Sequence, residues 1–189
     1  TLKYLKKLDI HYTGLCTKEG ASMHYIDSDF IYLNFGWSVI GSTGFVENYQ
    51  IQQLDIGSVL LEAGNALKKN KKVICIFHWG YELELYPQPA HRDLSHKLID
   101  MGVSLIVGHH SHRVQGIEVY KNTPIVYGLG NFLFIQNYFF KGKHKFPDFC
   151  NEELAFEFSA NGDHTLHWLE YDKLKGVVHL RESEKLSSS

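Results

Sequence analysis

No uninterrupted apolar run in the 189 residues approaches the ~20 needed to span a bilayer as a helix. The longest, such as Val73 to Phe77, are strand-sized. There is no excess of charge of one sign either. The formal net charge is −2 and the lysines and arginines are dispersed, which argues against a nucleic-acid binder and against a polybasic membrane surface. Cysteine is scarce: Cys16, Cys75 and Cys150 are too few and too scattered for a disulfide framework. Cys75 sits inside Val73-Ile74-Cys75-Ile76-Phe77 and reads as a small buried hydrophobe. An initiator methionine and a signal-like segment are also missing. Leu2, Leu5 and Leu8 follow helical spacing from the first residues, so the chain reads as the later part of a longer protein.

The length suits one domain with a sizeable core. Aromatic and β-branched residues from Phe30 to Ile40 predict a buried strand. Leu54 to Asn70 predicts a helix, with Leu60, Ala63 and Leu67 on one face and lysines near its negative end. Val73 to Phe77 predicts a strand buried on both faces. A helix from about Ala90 to Met101 follows, with Ala90, Leu94, Leu98 and Met101 on one side and Gly102 as its C-cap. Val103 to Val107 is a second apolar strand, so the stretch predicts a βαβ unit with parallel strands. Val114 to Tyr120 and Thr123 to Tyr127 predict a hairpin around Lys121-Asn122. Glu153 to Ala160 and His164 to Tyr171 predict another around Asn161-Gly162. The domain is expected to span residues 1–181, followed by a flexible tail over 182–189. The class is α/β, with parallel and antiparallel portions.

Twelve histidines are present, and most are scattered singly. The exception is Gly108-His109-His110-Ser111-His112, which follows one predicted strand just as His78 follows the other. Ligands in open α/β sheets bind outside the carboxyl ends of parallel strands. Residues two apart in extended chain leave from one face, which predicts that His110 and His112 converge. Imidazoles that converge suit Zn, Mn or Fe. Gly80 and Gly108 would let backbone and ion approach closely. A hydrogen-bonded loop remains the alternative for the cluster. Glu82 is expected as a support for a ligand rather than a ligand, and His96 as a helix-surface residue.

HWGYE (His78 to Glu82), LIDMG (Leu98 to Gly102) and VSLIVGHHSHRVQGIEVYKNTPIVYGLGNFLF (Val103 to Phe134) together resemble the CapA family, named for poly-γ-glutamate capsule biosynthesis. That family is similar to calcineurin-like metallophosphoesterases. The resemblance runs from the opening helix to about Phe134 and is weak beyond Asn137. It implies a metallophosphoesterase-like β-sandwich flanked by helices, of which this chain is the C-terminal part, with a site for two divalent metal ions (Mn, Zn or Fe). It implies that His78, His110 and His112 hold metal and that His109 is catalytic, though the doubled histidine leaves open which of His109 and His110 is the ligand. Glu82 and Asn131 are expected to support a ligand or touch substrate; Asn131 also fits a plain turn residue.

The chain departs from the wider pattern in one respect. No Gly-Asp or Asn-His-Glu signature precedes His78; Gly14, Asn34 and Gly36 stand alone. Hard carboxylates normally balance the charge of such sites, so metal binding and catalysis by this chain alone are expected to be weak. The implied function is capsule polymer biosynthesis with a phosphoesterase-type hydrolase site. A non-enzymatic accessory subunit of a membrane polymer synthesis or export complex is the alternative. The implied partner is an anionic polymer or phosphoester, with no nucleic acid; for the basic aromatic stretch Phe139 to Phe146 a mobile surface loop is the preferred reading and contact with that partner the alternative. The implied setting is the outward face of the cell envelope, anchored through a segment outside this sequence.

Overall fold

A computed structural model describes residues 2–20, 22–37, 48–133, 138–139, 142–159 and 161–186. It is a sheet-rich mixed α/β structure made of two compact units, Thr1–His78 with Asp93–Ile106, and Trp79–Arg92 with Val107–Ser189. Among the described residues, no helix is long and apolar enough to cross a membrane.

The first unit opens with α1 (Leu2–Lys7), then β1 (Leu15–Thr17), β2 (Ser22–Met23), β3 (Tyr25–Ile26), β4 (Phe30–Gly36) and β5 (Tyr49–Ile51). Next come α2 (Ile56–Leu67), β6 (Lys72–His78), α3 (Pro89–Met101), which begins in the second unit, and β7 (Leu105–His109), which ends there. β1 pairs antiparallel with β2 and β5. The core is the parallel pair β4–β6, in register from Phe30↔Lys72 to Gly36↔His78. Ile31, Leu33, Phe35, Val73, Cys75 and Phe77 are wholly buried, and Phe35 stacks on Phe77 at 5.6 Å. Ser104 N–H donates to the Val73 carbonyl (2.8 Å), where β7 begins. The expected strand over Phe30 to Ile40 is observed to Gly36; residues 38–40 lie outside the described ones.

Both long helices form, with their buried stripes set by packing. In α2 the stripe is Val59, Ala63 and Ala66, one residue round from the expected Leu60, Ala63 and Leu67. Small alanines let the helix lie close to the sheet, and the Asp55 carboxylate caps its first turn by accepting from Ser58 N–H (2.8 Å). In α3 the buried residues are Leu94, Ser95, Leu98 and Ile99, while Met101 is exposed. His96, expected on the surface, is half-buried. Gly102 at φ +112° ends α3 as expected, with Gly102 N–H to Ile99 O and Val103 N–H to Leu98 O closing the last turn.

The second unit adds β8 (Ile117–Tyr120), β9 (Thr123–Val126), β10 (Tyr138–Phe139), β11 (His144–Lys145), a 3₁₀ turn (Asp148–Asn151), β12 (Glu152–Phe158), β13 (His164–Asp172) and β14 (Val177–Lys185). β8 and β9 form the first expected hairpin, turned by Lys121 (φ +49°) and Asn122 (φ +61°). β12 and β13 form the second, and β14 pairs antiparallel with β13. Val126, Leu154 and Leu166 make this unit's apolar cluster, with Val114, Ile117, Leu129, Phe156 and Trp168 packed on it. Residues 182–185 were expected in a flexible tail. They are instead strand residues, with Glu182 opposite Trp168 and Lys185 opposite Thr165. β14 is exposed along its length except at Val178, and past residue 181 its sequence carries no apolar alternation to announce a strand.

Candidate metal centre

The site is built where β7 runs out. Gly108, the penultimate residue of β7, has no room for a side chain: a Cβ there would collide with the Tyr127 carbonyl oxygen and the Trp79 indole nitrogen. Those two groups are hydrogen-bonded to each other (Nε1 to O, 3.0 Å). Gly108 is therefore required by this tryptophan clasp, a different reason from the close approach of an ion that the sequence suggested. Trp79 is 1% exposed and stacks on His91 at 4.5 Å. Burial lowers the pKa of His91 and favours the neutral ring. Trp79 N–H donates to the His109 carbonyl (3.1 Å), and Leu83 N–H to the Ser111 carbonyl (2.8 Å). The loop that carries Glu82 is thus tied by backbone to the loop that carries the histidines.

His110 and His112 converge, but not by the expected route. The backbone is not extended: φ is +105° at His110 and +56° at His112. A side chain at positive φ costs about 1–3 kcal/mol, and such residues persist where the surroundings over-determine them. Ser111 Oγ donates to the Arg113 carbonyl (2.8 Å) and holds the turn. The two rings lie 6.1 Å apart. With Glu82 they form a group whose ligand atoms all lie within 4.8 Å of one another. His110 is buried, His112 half-buried and Glu82 exposed.

The group behind His112 settles which nitrogen faces outward. Asn131, buried at 9% exposure, places its Oδ1 2.8 Å from His112 Nδ1. Its Nδ2 donates to the Cys150 carbonyl (3.0 Å) and, at 3.4 Å, to that of His112. With the amide so oriented, its oxygen accepts from the Nδ1–H of His112 and leaves the Nε2 lone pair for a ligand. Gly130 at φ +76° sets Asn131 in place, and a Cβ there would press on the Glu152 carbonyl at 2.8 Å. Phe146 packs edge-on against the His112 ring at 5.2 Å. Two imidazoles and a carboxylate, one imidazole held in a single tautomer, fit a first-row divalent ion.

The remaining candidates are not members of that group of three. His109 closes β7 half-buried and is not one of the three converging residues. His78 closes β6 in the first unit, opposite Gly36, and its carbonyl accepts from Trp37 N–H (3.0 Å). In that unit Gly14 (φ +90°) packs against the Asn34 side chain, and Gly36 N–H donates to Gln52 O. Those positions offer an amide and no carboxylate. The contacts of Phe146 to His112 and of Cys150 to Asn131 escaped the sequence reading, since they are long-range and carry no local signature.

Residues 1–136 match the profile of the family described as "Bacterial capsule synthesis protein PGA_cap". The "Capsule biosynthesis protein CapA" of Bacillus anthracis is 31% identical over 154 residues, covering 73% of this chain and 36% of its own length. The "PGA biosynthesis protein CapA" of Bacillus subtilis is 42% identical over 72 residues, 38% of this chain and 19% of the relative. A "Probable polyglutamine synthesis accessory protein" of Mycobacterium tuberculosis is 38% identical over 58 residues, 31% of this chain and 15% of the relative. The match to this chain therefore spans only about a third of the Bacillus anthracis protein. The family expected from HWGYE, the His-x-His stretch and Gly130-Asn131-Phe132 is the family matched, and the chain belongs to the bacterial capsule synthesis protein PGA_cap family.

Proposed function

We propose that this chain supplies part of a metal-dependent, phosphoester-cleaving type of site to a protein of capsule polymer biosynthesis at the outward face of the cell envelope. The observation that carries the reading is the convergence of Glu82, His110 and His112 within 4.8 Å. In this reading those three residues hold a divalent ion, and His78 keeps the ligand role that the family resemblance implies. A bound divalent ion would polarise a phosphoryl oxygen and supply hydroxide at neutral pH. Asn131 orients His112, His109 passes a proton to the leaving group, and the Trp79 clasp keeps the two loops together. Glu82 moves from the supporting role expected of it to that of a ligand. The metallophosphoesterase-like sandwich, the second ion and a membrane anchor outside these residues belong to the same reading, carried by the family likeness. Exposed Lys143 and Lys145 suit an anionic polymer.

A second reading is favoured by one observation: no Gly-Asp or Asn-His-Glu signature precedes His78, and Gly14, Asn34 and Gly36 bring no carboxylate. There the protein acts as a non-enzymatic accessory subunit of a membrane polymer synthesis complex, and the relative named as an accessory protein fits it. Metal analysis of the intact protein, followed by an assay on a generic phosphodiester with added Mn or Zn, separates the two. Bound metal with turnover supports the enzyme. Bound metal without turnover, or no metal, supports the accessory role.

A further inference from the structure

Among the described residues, nothing balances the charge of the residue after His112. Arg113 makes no ion pair among the described residues, and its Nε is buried without a hydrogen-bond partner. Its one acceptor among the described residues is the Leu83 carbonyl, reached by Nη1 at a long 3.4 Å. The guanidinium is nonetheless held in place. It lies over the Phe149 ring, 4.2 Å from the centroid, a contact that holds the group without using its N–H donors. Leu83 follows Glu82, and Phe149 precedes Cys150, whose carbonyl accepts from Asn131. Arg113 is thus bracketed by the same segments that place Glu82 and His112.

A second uncompensated cation lies near the same turn. The Lys173 Nζ is buried and unpartnered, and the nearest acid in sequence, Asp172, is already paired with Lys175 at 3.2 Å. Both Arg113 and Lys173 are close enough to the Cys150 thiol to favour its ionisation, although burial dominates and pushes that thiol up to about 11. Elsewhere in this unit arginine is matched: Arg92 reaches Glu118 through two nitrogens at 3.1 Å, and Arg181 lies 3.6 Å from Glu152. A partly buried, pre-oriented guanidinium without a carboxylate is costly unless an anion arrives to use it.

We propose that Arg113, seconded by the positive charge of Lys173, receives an oxyanion of the substrate, phosphoryl or carboxylate, beside the Glu82–His110–His112 group. The assignment rests on the function proposed above for its substrate, but binding of the anion does not depend on turnover. Phosphate and carboxylate offer the same acceptors to the guanidinium fork, so the test runs both.

Inorganic phosphate and acetate are each titrated calorimetrically into the intact protein, its metal content measured in parallel. The expected result is binding of at least one anion that Arg113→Met weakens about tenfold or more. Arg113→Lys falls between the two, because an ammonium lacks the planar fork. Lys173→Met weakens binding by a smaller factor, and Arg181→Met does not change it; metal content is the same throughout. If Arg113→Met fails to fold, Phe149→Leu keeps the charge but removes the ring that holds it, and is expected to weaken binding measurably. The proposal is overturned if neither anion binds the wild-type protein, or if binding is indifferent to Arg113 and Phe149. Arg113-dependent anion binding in a protein that holds no metal would sink the proposed function alone. Metal binding and turnover with a KM indifferent to Arg113 would sink this inference alone.

Discussion

The β4–β6 pair and the 108–113 loop solve opposite problems. In β4–β6, seven residue pairs hold a parallel register, the buried side chains are apolar and every backbone angle is ordinary. In 108–113, one residue admits no side chain, two histidines sit at positive φ, and His110 and Ser111 are buried polar groups. The first region removes hydrocarbon from water and gains stability. The second gives up stability to aim polar atoms at one point, and it persists because a tryptophan clasp, a serine hydroxyl and an asparagine amide hold it from three sides. Substitutions in the two regions should therefore differ in kind.

The largest effect on stability belongs to the core. Phe35→Ala should cost about 3–5 kcal/mol in urea denaturation, as deletion of a fully buried aromatic does, with no change in metal affinity of the protein that remains folded. Gly108→Ala should cost about 1–3 kcal/mol by overpacking, and it should also quench the clasp, seen as a change in Trp79 fluorescence. A Gly108→Ala protein as stable as wild type would remove the clasp from the account.

Next comes a buried acid. Glu153 is 1% exposed with neither carboxylate oxygen hydrogen-bonded, and desolvation raises its pKa from 4.5 to about 7. The folded form therefore holds its proton where the unfolded chain has released it. Stability from this residue is complete below pH about 4.5 and is lost as pH rises towards about 7. Glu153→Gln should flatten that part of the stability–pH curve; an unchanged slope would show that another group is responsible. The smallest effect concerns backbone strain. At His110, glycine should be more stable than alanine by about 1 kcal/mol, the reverse of their usual order. Alanine equal to or above glycine there would mean that the loop relaxes.

How much of this was legible in the sequence follows from the same contrast. Val73 to Phe77 could be read as a buried strand because a continuous apolar run has few other solutions. Gly102 could be read as a cap because its chemistry is local. His110 and His112 were identified as a converging pair, but the left-handed turn that brings them together was not, since nothing in His-Ser-His specifies it. The reach of Asn131 to His112 spans 19 residues, and that of Phe146 is longer still. Neither leaves a periodicity to find. β14 was invisible past residue 181 for the opposite reason: there both faces are in water and no residue is apolar.

The central claim is that Glu82, His110 and His112 hold a divalent ion with Asn131 orienting one of them. It is tested most directly by titrating Mn and Zn into the intact protein and into His112→Ala and Asn131→Ala variants, with circular dichroism recorded on each. The account predicts that His112→Ala abolishes most of the affinity and that Asn131→Ala lowers it about 10–100-fold, both variants keeping the wild-type fold. If His112→Ala binds metal as the wild type does, or unfolds with no change in bound metal, the cluster is structural and the claim is wrong.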